Sequence, residues 1–93
     1  MVFRPQAESE VLEIQHWYDS RRAGLGDEFA AAADTLVQRI ADNPQSFPRV
    51  HKETRRGVMP RFPYAIYFRV HGDDVVILAV HGRQRPSRWQ TRS

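Results

Sequence analysis

The chain has 93 residues, of which 41% are hydrophobic and 11% aromatic, and its formal net charge is +3. This length fits one compact domain spanning residues 1–93 and is too short for two. The absence of cysteine excludes disulfides and thiolate metal sites. Because no apolar run approaches the roughly 20 residues that span a bilayer, we expect a cytoplasmic protein without a membrane segment.

Charge is divided unevenly along the sequence. Residues 1–48 contain 4 Lys or Arg and 8 Asp or Glu, a net −4, whereas residues 49–93 contain 10 and 3, a net +7, and the two sum to +3. Arginine, whose planar guanidinium suits carboxylates and phosphates, supplies 13 of the 14 cations. A compositional bias toward arginine explains that number equally well, so the positions of the arginines carry the functional argument.

The start of the chain predicts a short strand and then a helix. Residues 2–4 are largely apolar and precede Pro5, which suits a brief strand at a sheet edge. A helix is expected over residues 7–22, with acidic residues in its early turns and two arginines at its end, as the helix dipole favours. One face of this helix carries Ala7, Val11, Ile14 and Tyr18.

A second helix is expected after the break at Gly24-Leu25-Gly26. Asp27 is a suitable cap for its start, and Asn43-Pro44 ends it. We expect Trp17 and Tyr18 to pack at the turn between the helices, with Leu25 closing the same cluster. The apolar face of the second helix carries Phe29, Ala33, Leu36 and Ile40.

The rest of the chain predicts a sheet. Residues 45–51 are interpreted as a loop, residues 53–59 as a weak polar strand, and residues 64–70 and 75–80 as a hairpin joined by a turn at 71–74. Residues 84–91 are expected to form a short helix or an irregular tail. The predicted fold class is therefore α+β, with an N-terminal strand and a helical hairpin packed on a small, mainly antiparallel sheet.

Motifs for common enzyme chemistries are absent. The four histidines lack metal-ligand spacing, and no phosphate loop, dinucleotide fingerprint or serine elbow is present, so we predict no cofactor, metal or catalytic residue. The acidic residues of the helices are interpreted as solvated faces. His81 ends the last strand, where its side chain either faces an open sheet surface or is a hydrogen-bonded structural group.

Arginines and aromatic residues alternate in the basic half of the chain. Pro63 holds the chain extended into the strand that starts at Tyr64, which leaves Arg61 at the mouth of that strand. The tail surrounds one aromatic residue with cations, an arrangement that suits an acidic protein patch or a nucleic acid backbone. Structural packing of cations on the aromatic ring is the alternative. The tail residues are Arg83, Arg85, Arg88 and Trp89.

Several short motifs follow one another in order along nearly the whole chain: Trp17-Tyr18, Gly24-Leu25-Gly26, Phe29, Ile40, Asn43-Pro44, Phe47-Pro48, Arg55-Arg56, Arg61-Phe62-Pro63-Tyr64, Tyr67 and residues 81–89. In this order and spacing the chain resembles the ParE-like branch of the RelE/ParE toxins of bacterial type II toxin-antitoxin modules. The resemblance implies a helical hairpin on a small antiparallel sheet, a chromosomal or plasmid operon, and a cognate antitoxin that holds the toxin inactive in a heteromeric assembly.

Two activities occur in this superfamily. The RelE-like branch is a ribosome-dependent messenger endoribonuclease that uses an arginine after the strand tyrosine and a C-terminal tyrosine. This chain has Ala65 and Trp89 at those places, and Arg83 alone matches. Without these groups, acid-base help and charge stabilisation would be missing. The resemblance therefore favours a non-enzymatic, ParE-like toxin that binds and poisons DNA gyrase, with the endoribonuclease as the alternative and a non-toxic interaction module as a third hypothesis.

The sequence also predicts how partners are bound. Exposed arginines, especially Arg61 and Arg83, are expected to meet acidic side chains of the antitoxin, while the apolar groove of the helices receives a partner helix or strand. The predicted target- or partner-binding residues are Arg56, Arg61, Tyr64, His81, Arg83, Arg85, Arg88 and Trp89.

Overall fold

In the part of the chain that the structure describes, five strands form one sheet with two helices on one of its faces. The computed structural model describes residues 1–82. In chain order the elements are β1 (Val2–Phe3), α1 (Pro5–Arg21), α2 (Leu25–Asp42), a 3-10 turn (Pro44–Ser46), β2 (Arg49–His51), β3 (Thr54–Val58), β4 (Tyr64–His71) and β5 (Asp74–Gly82).

The order of strands across the sheet is β1-β5-β4-β3-β2. The first strand runs parallel to β5, and the other neighbouring pairs are antiparallel. The N-terminal strand, helical hairpin and mainly antiparallel sheet confirm the predicted α+β class. The expected tail at residues 84–91 lies outside the described part of the chain.

Two local predictions were wrong. The predicted loop over residues 45–51 contains β2, which pairs with β3 around a tight turn where Lys52 has a left-handed φ of 51°. A three-residue strand and a turn without Asn-Gly or Asp-Gly leave almost no sequence signal. Asp27 does not cap α2: Gly24, at φ 88°, holds the cap position, and Asp27 lies in the first turn, where its charge suits the helix dipole.

The core lies between the helical hairpin and the sheet. The second helix contributes most of the buried helical side chains, including Phe29, Leu36 and Ile40, which pack against the sheet. In contrast, Ala7 is the one fully buried residue of α1, whose Val11, Ile14 and Tyr18 pack against the core only partly buried. The first helix is therefore attached mainly by partly buried side chains along its length.

The two helices approach each other closely at Gly26. Its backbone N–H donates to Asp19 Oδ1 at 2.7 Å, which ties the start of α2 to the end of α1. A Cβ atom at Gly26 would collide with the Gln15 carbonyl oxygen and would lie 2.7 Å from Asp19 Cγ. Because one of these neighbours is backbone, the contact cannot be relieved by rotating a side chain alone.

We predict that Gly26→Ala lowers the free energy of unfolding by about 2–3 kcal/mol, since the helices must separate to admit the methyl group. Gly24→Ala is the matched control. It meets nothing within 4 Å and adds only left-handed strain, a cost of about 1 kcal/mol. Urea unfolding of the two variants measures both values, and equal losses would contradict the close-approach explanation.

Candidate partner-binding surface

An aromatic cluster joins the tip of the helical hairpin to the mouth of β4. Tyr18 stacks on Phe29 with ring centroids 5.7 Å apart, and Phe62 meets both rings edge-on, at 5.1 Å from Tyr18 and 5.3 Å from Phe29. Tyr64 meets Phe29 at 5.7 Å. Each such pair adds about 0.5–1.5 kcal/mol beyond its buried area, so the cluster fixes both helices to the β3–β4 connection.

Arg61 lies directly above this cluster. Its Nη2 donates to Glu28 Oε1 at 3.1 Å, while Arg22 Nη2 donates to Glu28 Oε2 at the same distance. One carboxylate in the first turn of α2 therefore joins two arginines from different elements. The Arg61 and Arg22 side chains remain 67% and 63% exposed, so the predicted position of Arg61 at an accessible mouth is confirmed.

Trp17 and Tyr18 occupy different environments. Tyr18 is half-buried in the aromatic cluster and Leu25 packs against the same core, as predicted. The expected packing of Trp17 is met only in part: its ring meets that of Tyr18 edge-on with centroids 5.0 Å apart, but it is 50% exposed, and the Arg21 guanidinium lies 4.6 Å from its ring centroid. Consecutive helical residues point about 100° apart, so only one of the pair reaches the core.

Tyr64 begins β4, as predicted, and serves the cluster. Its backbone N–H donates to the Phe62 carbonyl oxygen at 2.8 Å, and its carbonyl accepts from Met59 N–H at 3.0 Å. Its ring is half-buried against Phe29 and Tyr18. Burial raises the pKa of the Tyr18 hydroxyl above its ordinary value of 10.0, and the nearby Tyr64 contributes in the same direction.

His81 does not face an open surface. It is only 7% exposed, and its Nε2 lies 3.3 Å from Glu10 Oε2, which supports the structural alternative for this residue. The other oxygen of Glu10 accepts the backbone N–H of Val80 at 2.9 Å. Glu10 is thus not part of a solvated face. Its carboxylate accepts a hydrogen bond from the edge of β5 at Val80, beyond Val76 and Ile77, the two residues of β5 that pair with β1.

The two neighbouring arginines of β3 have different surroundings. The Arg55 guanidinium donates to the Phe47 carbonyl oxygen at 2.6 Å and to Gln45 Oε1 at 2.8 Å, which fastens the 3-10 turn to the sheet. Arg56 is half-buried and is the register partner of Tyr67. The alternation of strand side chains places Arg56 on the opposite face from Arg55. The predicted Arg83, Arg85, Arg88 and Trp89 lie outside the described residues.

An apolar groove runs between the two helices, as predicted. Its cavity volume is about 170 Å³, comparable to one large apolar side chain, and the sheet forms its floor. Asp34 is the one charged residue in its lining. That the groove receives a partner helix or strand stays a prediction. The apolar lining residues are Phe3, Val11, Ala30, Ala33, Val37, Ile66 and Val80.

The described residues give little support for metal chemistry or membrane insertion. Within residues 1–82, no group of three or more His, Asp or Glu side chains is arranged to hold a metal ion. In the same range, neither helix combines the length and apolar character needed to cross a membrane. The described residues instead present exposed arginines and an apolar interhelical groove, and surfaces of both kinds occur at protein–protein interfaces.

A helical hairpin on a mainly antiparallel sheet, with arginines around its aromatic tip, defines a small α+β domain. Comparison with protein families identifies which one. The model described as "ParE toxin of type II toxin-antitoxin system, parDE" matches residues 1–86, so the chain belongs to the ParE toxin family. Comparison with curated proteins finds no match.

We predict that Tyr18→Phe reduces the amount by which the free energy of unfolding falls as the pH rises above 10. A pKa raised by folding means that the folded state holds the Tyr18 proton more tightly, so this contribution is complete below pH 10 and is lost as the pH rises through the raised pKa. Urea unfolding from about pH 8 to 11 should show the wild type losing more free energy than the variant. A constant difference across that range would contradict the assignment.

Proposed function

We propose that this ParE-family toxin binds DNA gyrase, stabilises its DNA-cleaved state without itself making or breaking covalent bonds, and is neutralised by a cognate antitoxin. The observation that carries the proposal is the family match over residues 1–86. Toxins of this kind act through a binding surface, and the accessible arginines at the hairpin tip supply one. The protein acts in the cytoplasm, where gyrase and the antitoxin are found.

The surroundings of Tyr64 support binding over RNA cleavage. The endoribonuclease branch has an arginine directly after this tyrosine, but here the next residue is Ala65, which carries no charge and is 0% exposed. Two groups able to transfer protons on the sheet are also withdrawn from solvent, since His81 is 7% and Tyr67 is 0% exposed. An enzyme acting on messenger RNA needs such groups at the surface that meets the RNA.

Antitoxin binding would use both kinds of surface. Arg61 is accessible and paired with Glu28 through Nη2 alone, which suits acidic side chains of the antitoxin, while the interhelical groove suits one of its apolar side chains. Charge pairs at the rim act mainly on association rate and salt dependence, whereas the apolar contact contributes to residence time. Other residues proposed to contact the target or the antitoxin are Arg56, Tyr64, Arg83, Arg85, Arg88 and Trp89.

We predict that purified toxin inhibits supercoiling by gyrase and accumulates cleaved DNA, and that prior mixing with antitoxin abolishes both effects. A supercoiling assay with cleaved DNA trapped by detergent and protease measures them. Topoisomerase I relaxation of the same plasmid is the control for nonspecific DNA binding and should be unaffected.

Two results would contradict this assignment. Normal supercoiling at saturating toxin would remove gyrase as the target. Cleavage of messenger RNA in a translating extract, lost in Arg83→Ala, would instead establish the endoribonuclease alternative.

A further inference from the structure

Five residues at the hairpin tip are here called the tip surface: the pair Trp17 and Arg21, and the group Arg22, Glu28 and Arg61. The ring centroids of Trp17 and Tyr18 are 5.0 Å apart, and Tyr18 in turn contacts Phe62. The Arg61 guanidinium lies 5.7 Å from the Phe62 ring centroid. The surface therefore rests on the aromatic cluster. Apart from Arg61, its members were not among the residues predicted to bind a partner.

Glu28 binds the guanidiniums of Arg22 and Arg61 and engages only one N–H-bearing nitrogen of each. Arg22 and Arg61 each contact it through Nη2 alone, and neither guanidinium makes another hydrogen bond within residues 1–82. A guanidinium has five N–H donors in a fixed fork, so most donors of both groups point elsewhere. Because both side chains are more than 60% exposed, a second carboxylate can reach them from solvent.

Trp17 adds an apolar element beside these cations. Half of its surface is exposed, although it is among the largest side chains of the protein, and Arg21 covers part of one ring face. Partly exposed tryptophan and arginine are the residue types that dominate binding energy at protein interfaces. The combination suits a partner side chain that is apolar and adjacent in sequence to an acidic one.

Charge balance decides which class of partner fits. The tip surface itself carries three cations, Arg21, Arg22 and Arg61, against the one carboxylate of Glu28, and Asp19 and Asp27 lie in the same turn region, so that residues 19–28 and Arg61 together have a net charge of zero. Nucleic acid binding relies on a net positive surface facing many phosphates. A neutral surface with oriented donors instead suits a single carboxylate held by short-range, charge-assisted hydrogen bonds.

We propose that the tip surface binds an acidic-apolar segment of the antitoxin, with one carboxylate between Arg22 and Arg61 and the neighbouring apolar side chain on Trp17. This contact rests on the proposed neutralisation by an antitoxin and is independent of whether gyrase is the target. It adds an anchor on the side of the molecule where the hairpin turns.

The test is a titration of isotope-labelled toxin with a short peptide that is acetylated, amidated and contains Glu next to Leu. The guanidinium resonances of Arg22 and Arg61 and the Trp17 indole resonance should shift together. The same peptide with Gln in place of Glu should bind about fivefold more weakly, as should Arg22→Ala or Arg61→Ala toxin with the Glu peptide. Equal affinity of the two peptides would overturn the proposal.

Arg49→Ala is the matched control, because Arg49 is 58% exposed and has one carboxylate, that of Glu53, at 4.0 Å. It should leave the peptide affinity unchanged, and a loss equal to that of Arg22→Ala would overturn the site. Thermal unfolding checks that each variant is folded. Arg22→Lys, which keeps the charge but loses the fork, should also weaken binding, and wild-type affinity in it would contradict a forked contact.

Two further arms identify the partner. Purified antitoxin added to the peptide-bound toxin should displace the peptide, and retention of the peptide in the complex would overturn the assignment to the antitoxin. A 12-base-pair DNA duplex at physiological salt should leave the three resonances in place. If the duplex shifts these resonances with a higher affinity than the peptide does, the surface is a nucleic acid contact and the proposal is overturned. A failed gyrase assay would leave all of these outcomes unchanged.

Discussion

The aromatic contact between the hairpin tip and the β3–β4 connection is the constraint on which the rest of the structure depends. Tyr18 and Phe29 bring one ring from each helix, and Phe62 meets both of them. At the opposite end, Glu10 attaches α1 to β5 through the Val80 N–H. These two attachments add to the packing of Ala7, Val11 and Ile14, which also holds α1 on the core.

This arrangement links the fold to recognition. Phe62 is 5% exposed, and the residue before it, Arg61, is 67% exposed. The buried Phe62 ring therefore fixes the position of the backbone from which the accessible Arg61 side chain extends. The helical hairpin, residues 5–42, contains 3 Arg and 8 Asp or Glu, a net −5, and residues 49–93 carry the net +7. The molecule therefore combines an apolar groove on an acidic hairpin with exposed arginines at the hairpin tip and in the basic half of the chain.

Local sequence patterns were sufficient for the main elements and insufficient for the contacts. Helical spacing of apolar residues predicted both helices, and the apolar runs of β4 and β5 predicted their hairpin. The partners of Glu10 and Glu28, however, lie 70 and 33 residues away in sequence, at Val80 and Arg61. No periodicity encodes such pairs, and for the same reason the sequence did not distinguish the buried His81 from a surface histidine.

Native-state hydrogen exchange of Phe62→Leu tests most directly whether the aromatic contact unites the hairpin and the sheet. We expect the variant to lose about 1–2 kcal/mol of stability, and the amides of Leu36 in α2 and Ile66 in β4 to lose protection by that same amount. Protection lost only around residues 60–63, with α2 and β4 unchanged, would contradict the account.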